Sequence, residues 1–343
     1  QGMFFYIKNL NSNEFWSATY NPTRAVPEEY RVVFEPDHAV FLRKDGNIET
    51  LTEVAVSTEH NAEIRRISLT NHSQHGRVIE VTSYFEPVLS LLADDMAHRA
   101  FNNLFVETEY VPEYNTLLAR RRARKPNQKP VWLVHTFVLE GEAIGQPQYE
   151  TDRARFIGRG RDLSFPQVME PEHPLSNTVG AVVDPIMSLR QKIAIPPGKT
   201  AKISFMVAVA DSREAALFLA REYRNGSAAS RAFELAWTHS QVEMRYLNIT
   251  SGQVNLYLKM ASHILYPTPL QRNKEELLRK NRKGQSGLWA YGISGDIPIV
   301  VVEVSKLEHM ELVRQILTAH EYWRLKGLNV DLVLLNEYGN SYE

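Results

Sequence analysis

The feature that most constrains the fold is an abrupt change of hydrophobic periodicity near Asp211. Before it, short segments rich in Val, Ile, Thr and aromatic residues alternate apolar with polar side chains. Turn signals separate these segments at roughly the 8–12-residue spacing that is typical of antiparallel sandwiches. The clearest signals are NSNE (11–14), KDGN (44–47) and PPGKT (196–200). The Asp-Gly pair in KDGN suits a hairpin turn. Residues 1–211 are therefore predicted to form a mainly β domain, a large antiparallel sandwich.

Beyond Asp211 the apolar residues recur at helical spacing. An Asp/Ser pair at the start of 211–225 suits a helix N-cap. The helical pattern continues through 227–249 and 251–267, until Pro267 and Pro269 interrupt it. These features predict a helical linker over 212–280.

The segment 281–343 contains the glycine-rich stretch GQSGLWAYGISGD (284–296) near its start. An amphipathic helix is predicted over 305–328, and a short strand over 329–336. The predicted apolar face of that helix consists of Leu307, Met310, Val313, Ile316 and Leu317. So short a segment cannot bury its own core, so 281–343 is predicted to be the opening of an incomplete helical domain.

Composition excludes several classes of function. A net charge of −1 provides no global field for nucleic acid, and no apolar run approaches the roughly 20 residues that span a bilayer. The chain has no cysteine, which excludes disulfides and thiolate metal sites and fits a reducing, cytoplasmic compartment. None of the 11 histidines has zinc-site spacing. We therefore expect no metal, no nucleic-acid partner and no membrane contact by this segment.

Five stretches, in this order along the chain, resemble glycoside hydrolase family 94, the inverting glycoside phosphorylases formerly called glycosyltransferase family 36. They are FFYIKNLNSNEFWSATYNP (4–22), HRAFNNLFVETEY (98–110), LLARRRARKPNQKPVWLVH (117–135), ETDRARFIGRGRDLSFP (150–166) and GQSGLWAYGISGDIPIVVV (284–302). Within the family the similarity is greatest to members that act on β-1,2-glucans. The resemblance implies a super-β-sandwich, linker helices and an (α/α)6 catalytic barrel, of which 281–343 is the truncated opening.

The chemistry implied by the resemblance is phosphorolysis. A carboxylic acid protonates the leaving glycosidic oxygen while inorganic phosphate attacks from the opposite face, in place of the activated water of an inverting hydrolase. Phosphate is a co-substrate, and no cofactor is expected. The family's acid lies in a Trp-Asn-Asp-like stretch that nothing after Asp296 matches, and Asp331 lies in a strand pattern. The resemblance therefore assigns no catalytic residue to this chain, which alone is expected to be inactive.

The glycine-rich stretch holds the candidate substrate-binding residues. Aromatic rings bind the C–H faces of sugars, carboxylates and amides bind hydroxyls, and glycines let the backbone approach a ligand. The candidates are Gln285, Trp289, Tyr291, Ser294, Gly295 and Asp296. The resemblance implies that they line the donor-sugar subsite, with Asp296 holding hydroxyls. The alternative is a buried inter-domain turn in which Trp289 is core and Asp296 caps a helix.

Two arginine-rich stretches have less specific interpretations. The loop 150–166 combines Arg, Asp and Gly on a β-scaffold, where functional loops often occur. The resemblance implies a homodimer in which this loop, with Phe156, Arg159 and Arg161, lies between the subunits and Arg159 or Arg161 meets the partner's substrate. The alternative is a structural loop held by Arg–Asp pairs. The basic run ARRRARK (119–125) is either a phosphate or nucleic-acid patch, or a solvated loop that contacts acidic groups.

The leading hypothesis is thus the N-terminal portion of a β-glucan phosphorylase-type glycosyltransferase, a hexosyltransferase that acts on an oligosaccharide or polysaccharide. One alternative is a non-catalytic carbohydrate-binding or dimerisation module. Another is an inverting glycoside hydrolase. The resemblance also allows a parent protein in the inner membrane, with this region facing the cytoplasm.

Overall fold

The computed structural model describes residues 2–123, 129–266 and 275–336. They divide into two compact units, one that ends at His239 and one that begins at Ser240. The strands of the first unit are β1 (Phe4–Asn9), β2 (Phe15–Ser17), β3 (Glu29–Phe34), β4 (His38–Asp45), β5 (Ile48–Val56), β6 (Ala62–Asn71), β7 (Arg77–Tyr84), β8 (Val106–Val111), β9 (Thr116–Arg121), β10 (Trp132–Glu140), β11 (Glu142–Asp152), β12 (Gly180–Ala181), β13 (Pro185–Ile195) and β14 (Thr200–Ala210). Its helices are α1 (Leu92–Asn103), α2 (Arg153–Ile157), α3 (Arg213–Glu222) and α4 (Gly226–Leu247), which continues into the second unit.

The strands form two antiparallel sheets that share one core. The five-stranded sheet has the order β11-β13-β7-β1-β2, and the nine-stranded sheet has the order β12-β8-β9-β10-β14-β6-β5-β4-β3. Ile7 and Ile79 from the smaller sheet pack in one cluster with Ile67 and Phe205 from the larger sheet. Burial of such side chains stabilises the fold by about 25 cal/mol per Å² of apolar surface. The predicted β-sandwich is confirmed.

Helices α3 and α4 follow the sandwich where the periodicity changes. The Ser212 hydroxyl accepts a hydrogen bond from Ala215 N at 3.1 Å, so the predicted cap forms at the start of α3. Leu219 of α3 and Phe233 of α4 belong to the same buried cluster as Trp132 of β10. This part of the predicted linker therefore adds to the sandwich domain. The predicted boundaries at 211 and 280 stay predictions.

The second unit contains α5 (Ser251–Leu265), α6 (Glu275–Lys280), β15 (Ile299–Val304), α7 (Met310–Leu325) and β16 (Asp331–Asn336). Strands β15 and β16 pair in parallel, with Val301 opposite Val333, and α7 forms the crossover between them. The described part of 281–343 therefore contains a βαβ unit, and β16 confirms the strand predicted over 329–336. The opening of an (α/α)6 barrel stays a prediction. Pro267 and Pro269 lie outside the described residues. None of the described helices is both long and apolar enough to cross a membrane.

One titratable group is sealed inside the sandwich core. His135 on β10 is fully buried, with Nε2 2.7 Å from Ser83 Oγ and Nδ1 3.2 Å from the carbonyl oxygen of Met206. A neutral ring with its proton on Nδ1 satisfies both partners, because it donates to the carbonyl and accepts from the hydroxyl. Burial lowers the pKa of His135 to about 3, although the bond to Met206 opposes this shift.

We expect the sandwich to lose stability as pH falls below the ordinary histidine pKa of 6.5. The unfolded chain then takes up a proton at His135 that the folded chain refuses until the pH nears 3. The limiting slope from this group is about 1.4 kcal/mol per pH unit. Urea unfolding at about pH 7 and about pH 5 measures it. His135→Gln should give a shallower pH dependence, and parallel profiles for the two proteins would contradict the assignment.

Candidate functional site

The glycine-rich stretch folds as a short 3₁₀ helix followed by a tight turn. The helix runs over Gln285–Tyr291 and ends at Gly292, whose φ of 72° places it in the left-handed region. The chain then turns through Ser294 and Asp296 and enters β15. This segment therefore precedes a strand, and the alternative in which Asp296 caps a helix is wrong.

Three side chains hold the turn together around Ser294. Gln285 Nε2 donates to the carbonyl oxygen of Ser294 at 2.9 Å and to Asp296 Oδ1 at 2.8 Å. Trp289 Nε1 donates to the same carbonyl at 3.3 Å, and Asp296 N donates to Ser294 Oγ at 3.1 Å. Within the described residues Asp296 Oδ2 accepts no hydrogen bond. One carboxylate oxygen is thus fixed by the loop and the other is available to a ligand.

Gly295 is required by this geometry. Its φ of 76° is a conformation that L side chains rarely adopt. A Cβ at this position would lie 2.9 Å from Gln285 Cγ and 3.1 Å from Leu288 Cδ1. The glycine therefore allows the Gln285 side chain to cross the turn and reach Asp296.

The two aromatic rings of the loop are exposed to solvent. Trp289 is 64% exposed and Tyr291 is 76% exposed, so the alternative in which Trp289 is a core residue of this unit is not what the structure shows. Exposed rings beside a carboxylate and an amide form a surface that suits a sugar, because rings pack on C–H faces while polar groups bind hydroxyls. Five of the six candidates, all except Tyr291, lie in one bonded turn, and Tyr291 ends the helix next to it.

The loop after β11 places its three candidate residues differently. Phe156 is fully buried against Tyr6 and Tyr84 on the outer face of the five-stranded sheet, so it anchors the loop to the sheet. The role of the loop between subunits stays a prediction. Arg161 pairs with the carboxylate of Glu170. An Arg–Asp pair, as the structural alternative expects, is formed by Arg155 Nε and Asp152 Oδ2 at 3.7 Å. Arg159 is exposed and, within the described residues, has no ion pair. Arg159 alone is left as the contact candidate.

Three arginines of the basic run 119–125 bind neighbouring groups of the sandwich domain. Arg120 Nη2 lies 2.9 Å from Glu107 Oε2, and Arg122 also pairs with Glu107. Arg121 is buried and donates to Asn102 Oδ1 at 2.7 Å. The two ion pairs with Glu107 support the interpretation that this run contacts acidic groups. Arg124 and Lys125 lie outside the described residues.

The sandwich domain matches a known protein family. The model of the glycosyl hydrolase 94 supersandwich domain matches residues 1–226, which comprise both sheets and α3. The chain belongs to glycoside hydrolase family 94. The resemblance recognised in the five sequence stretches is confirmed.

Two family 94 relatives extend the similarity. The cyclic beta-(1,2)-glucan synthase NdvB of Rhizobium meliloti is 34% identical over 341 residues, which cover 99% of this chain. The solabiose phosphorylase of Paenibacillus borealis is 25% identical over 220 residues, or 64% of this chain. The matched regions span only 12% and 27% of those relatives' lengths. Among solved structures, a bacterial glucoamylase complexed with acarbose aligns over 72% of this chain and 31% of its own, at 9% identity and a TM-score of 0.43.

A second group of polar residues on this family 94 sandwich was missed by sequence reasoning. Lys8, Glu80, Arg190 and Lys192 converge on the outer face of the five-stranded sheet. The sequence does contain a signal, because each of these charged residues lies within a strand that is otherwise largely apolar. Strand alternation alone could not show that a loop covers this face and turns it into a pocket.

Proposed function

We propose that this chain is part of an inverting glycoside phosphorylase-type enzyme, a glycosyltransferase that acts on β-glucosides with inorganic phosphate, and that its substrate is a β-1,2-glucan. The observation that carries the substrate class is the 34% identity, over 99% of the chain, to a cyclic beta-(1,2)-glucan synthase. A phosphorylase among the relatives supports the use of phosphate. In the family the sandwich domain precedes the catalytic domain in the sequence. In this proposal the chain therefore forms the scaffold and the first part of the substrate site.

The turn around Asp296 is the proposed donor-sugar subsite. Support comes from the exposed faces of Trp289 and Tyr291, and from the Asp296 carboxylate, one oxygen of which Gln285 fixes. A carboxylate held in this way accepts hydrogen bonds from two adjacent sugar hydroxyls without reorganising, which favours binding. Ser294 and Gly295 shape the turn that presents it. Asp296 binds the sugar in this proposal and does not donate the catalytic proton.

In the proposed reaction a phosphate oxygen attacks the anomeric carbon as the glycosidic bond breaks. A carboxylic acid elsewhere in the full-length protein donates a proton to the leaving oxygen, and the product is a sugar 1-phosphate of inverted configuration. The proposal includes an (α/α)6 barrel that residues from 281 onward enter, a cytoplasmic location, and a homodimer in which Arg159 contacts the partner. No step in it requires a metal or an organic cofactor.

The test is phosphorolysis by the full-length protein. Incubation with β-1,2-gluco-oligosaccharides and inorganic phosphate should yield a sugar 1-phosphate, and the yield should depend on phosphate. Release of free sugar without phosphate would show an inverting hydrolase. Binding of the oligosaccharide without any turnover would show a carbohydrate-binding module. Either outcome overturns the proposal.

We expect residues 1–343 alone to give no sugar phosphate in the same assay. General-acid assistance contributes about 10²–10⁴-fold to rate, and in this proposal no residue of the chain provides it. Chromatographic detection of sugar 1-phosphate over a long incubation checks this. The full-length protein at equal concentration is the positive control. Turnover by the chain alone would show that the acid lies within these residues.

A further inference from the structure

Charged side chains form a cross-strand row on the five-stranded sheet. Lys8 on β1 lies opposite Glu80 on β7, and Glu80 lies opposite Lys192 on β13. Arg190 precedes Lys192 by two residues and therefore points to the same face. Because Ile7 packs in the sandwich core, the next residue, Lys8, faces away from that core. The row thus lies on the outer face of the sheet, which the loop after β11 covers.

The row combines three cationic side chains with one carboxylate, and most of it is buried. Arg190 Nε is 3.3 Å from Glu80 Oε1, and Lys192 Nζ is 4.0 Å from Glu80 Oε2. Lys8 Nζ donates to the carbonyl oxygen of Glu170 at 2.8 Å. Lys8, Glu80 and Arg190 are only 3%, 4% and 2% exposed. Burial lowers the pKa of Lys8, and Glu80 only partly opposes this shift. Arg190 also donates from Nε to Thr82 Oγ1 at 2.9 Å and from its Nη1 and Nη2 to the carbonyl oxygens of His173 and Val168 at 2.8 and 2.7 Å. The single carboxylate of the row does not neutralise its three cations, and a bound anion would balance the excess positive charge.

A cavity opens onto this row. It has a volume of about 490 Å³, and the loop residues 171–174 line it together with the row. A second cavity of about 170 Å³ shares Gln148, Arg190 and Lys192 with it. The second cavity lies where the pairing of β11 with β13 is irregular, between Ile144 and Gln148. Such irregularities commonly occur beside functional sites.

Two further polar side chains, Gln148 and His173, line the cavity. His173 Nε2 is buried and, among the described residues, has no hydrogen-bond partner. Gln148 Oε1 accepts from Leu175 N at 3.1 Å, which leaves its NH₂ group as a donor. The acidic groups that line the cavity are Glu80 and Glu172. Three cations against two carboxylates leave the pocket positive.

We propose that this pocket binds a small oxyanion of the phosphate class, either inorganic phosphate or the phosphate group of a sugar phosphate. Ammonium and guanidinium groups are charge-assisted donors to such oxygens. The cavity volume lies within the range of about 300–1,000 Å³ typical of small-molecule sites. All its residues lie between Lys8 and Lys192, and none belongs to the turn around Asp296. The inference therefore goes beyond the proposed function.

The test is calorimetric titration of residues 1–343 with inorganic phosphate, with glucose 1-phosphate and with glucose, at constant ionic strength in chloride. Phosphate or glucose 1-phosphate should bind with one site per chain. Lys192→Gln should weaken that binding by roughly tenfold or more, because it removes a charged donor from a half-exposed position that tolerates substitution. The matched control is Lys202→Gln, which removes an exposed lysine of β14 in the other sheet and should bind as the wild type does.

The pattern of affinities identifies the ligand. Equal affinity for phosphate and glucose 1-phosphate supports a site for the phosphate group alone, and tighter binding of glucose 1-phosphate supports a site for a sugar phosphate. Glu80→Gln, if its melting curve is cooperative, should bind either anion more tightly because the competing carboxylate is gone. Equal binding of the anions by wild type and Lys192→Gln, or no binding of either anion beyond the chloride blank, would each overturn the proposal. Asp296→Asn should leave the binding of inorganic phosphate unchanged, which separates the pocket from the sugar subsite.

Discussion

Trp323→Ala should cost about 3–5 kcal/mol in the free energy of unfolding of the second unit. Trp323 on α7 is 1% exposed, and its Nε1 donates to the carbonyl oxygen of Tyr257 at 2.9 Å. It belongs to the buried cluster that joins α5, α7 and β16, with Ile316 and Val330 among its members. The substitution removes the largest side chain of that cluster, and it also leaves a buried carbonyl without its donor.

Urea unfolding followed by far-ultraviolet circular dichroism measures this effect, because the second unit is rich in helix. Leu317→Ala is the matched control, since Leu317 lies on the same helix and is 50% exposed. Its cost should stay within about 0.5 kcal/mol, as for other surface substitutions. Similar losses in the two variants would contradict the orientation of α7.

Trp323 and Leu317 also show what sequence periodicity does not predict about a helix. The helical pattern located α7, and Val313 and Ile316 are buried as predicted, but Met310 and Leu317 are exposed. Their places in the core are taken by Ala319, Tyr322 and Trp323, later along the helix. The period of a helix fixes which residues share a face. It does not fix which part of that face meets a neighbouring element.

Local sequence patterns also do not predict which strand pairs with β15. The strand pattern at Asp331–Asn336 was recognised, and so was the apolar run before α7. Their parallel pairing joins segments separated by a whole helix, which no local alternation encodes. The sandwich was easier to predict because its neighbours along the chain are mostly antiparallel, as β4, β5 and β6 are.

Helix α1 was missed because its pattern is inverted. Asp95, Asn102 and Asn103 are its buried residues, whereas Leu92 and Met96 are exposed. A kink at His98 further interrupts the periodicity. Polar residues on the buried side give a helix no apolar stripe by which it could be recognised. The interpretation of 284–296 as a sugar subsite depends on its residue types together with the family resemblance, and it stays a prediction.

Asp296→Asn in the full-length protein should lower kcat/KM by roughly one to two orders of magnitude. Hydrogen bonds to a charged acceptor are worth about 1.5–3 kcal/mol, and the amide keeps the shape but loses the charge. Asparagine Oδ1 still accepts from Gln285 Nε2, so the turn itself should survive. The acid limb of the pH–rate profile should persist, because in the proposed mechanism another residue donates the proton.

Kinetics and melting temperature measured on the same variant decide between a binding role and a structural one. The matched control is Glu303→Gln, which removes one carboxylate from the exposed face of the neighbouring strand β15 and should leave kcat/KM near the wild-type value. If Asp296→Asn melts earlier but keeps its kcat/KM, the carboxylate serves the turn and the subsite assignment fails. If the acid limb disappears, Asp296 is itself the proton donor. A kinetic loss at an unchanged melting temperature is the result that the bonded geometry of Gln285, Ser294 and Asp296 leads us to expect, because that geometry holds one carboxylate oxygen and leaves the other to the sugar.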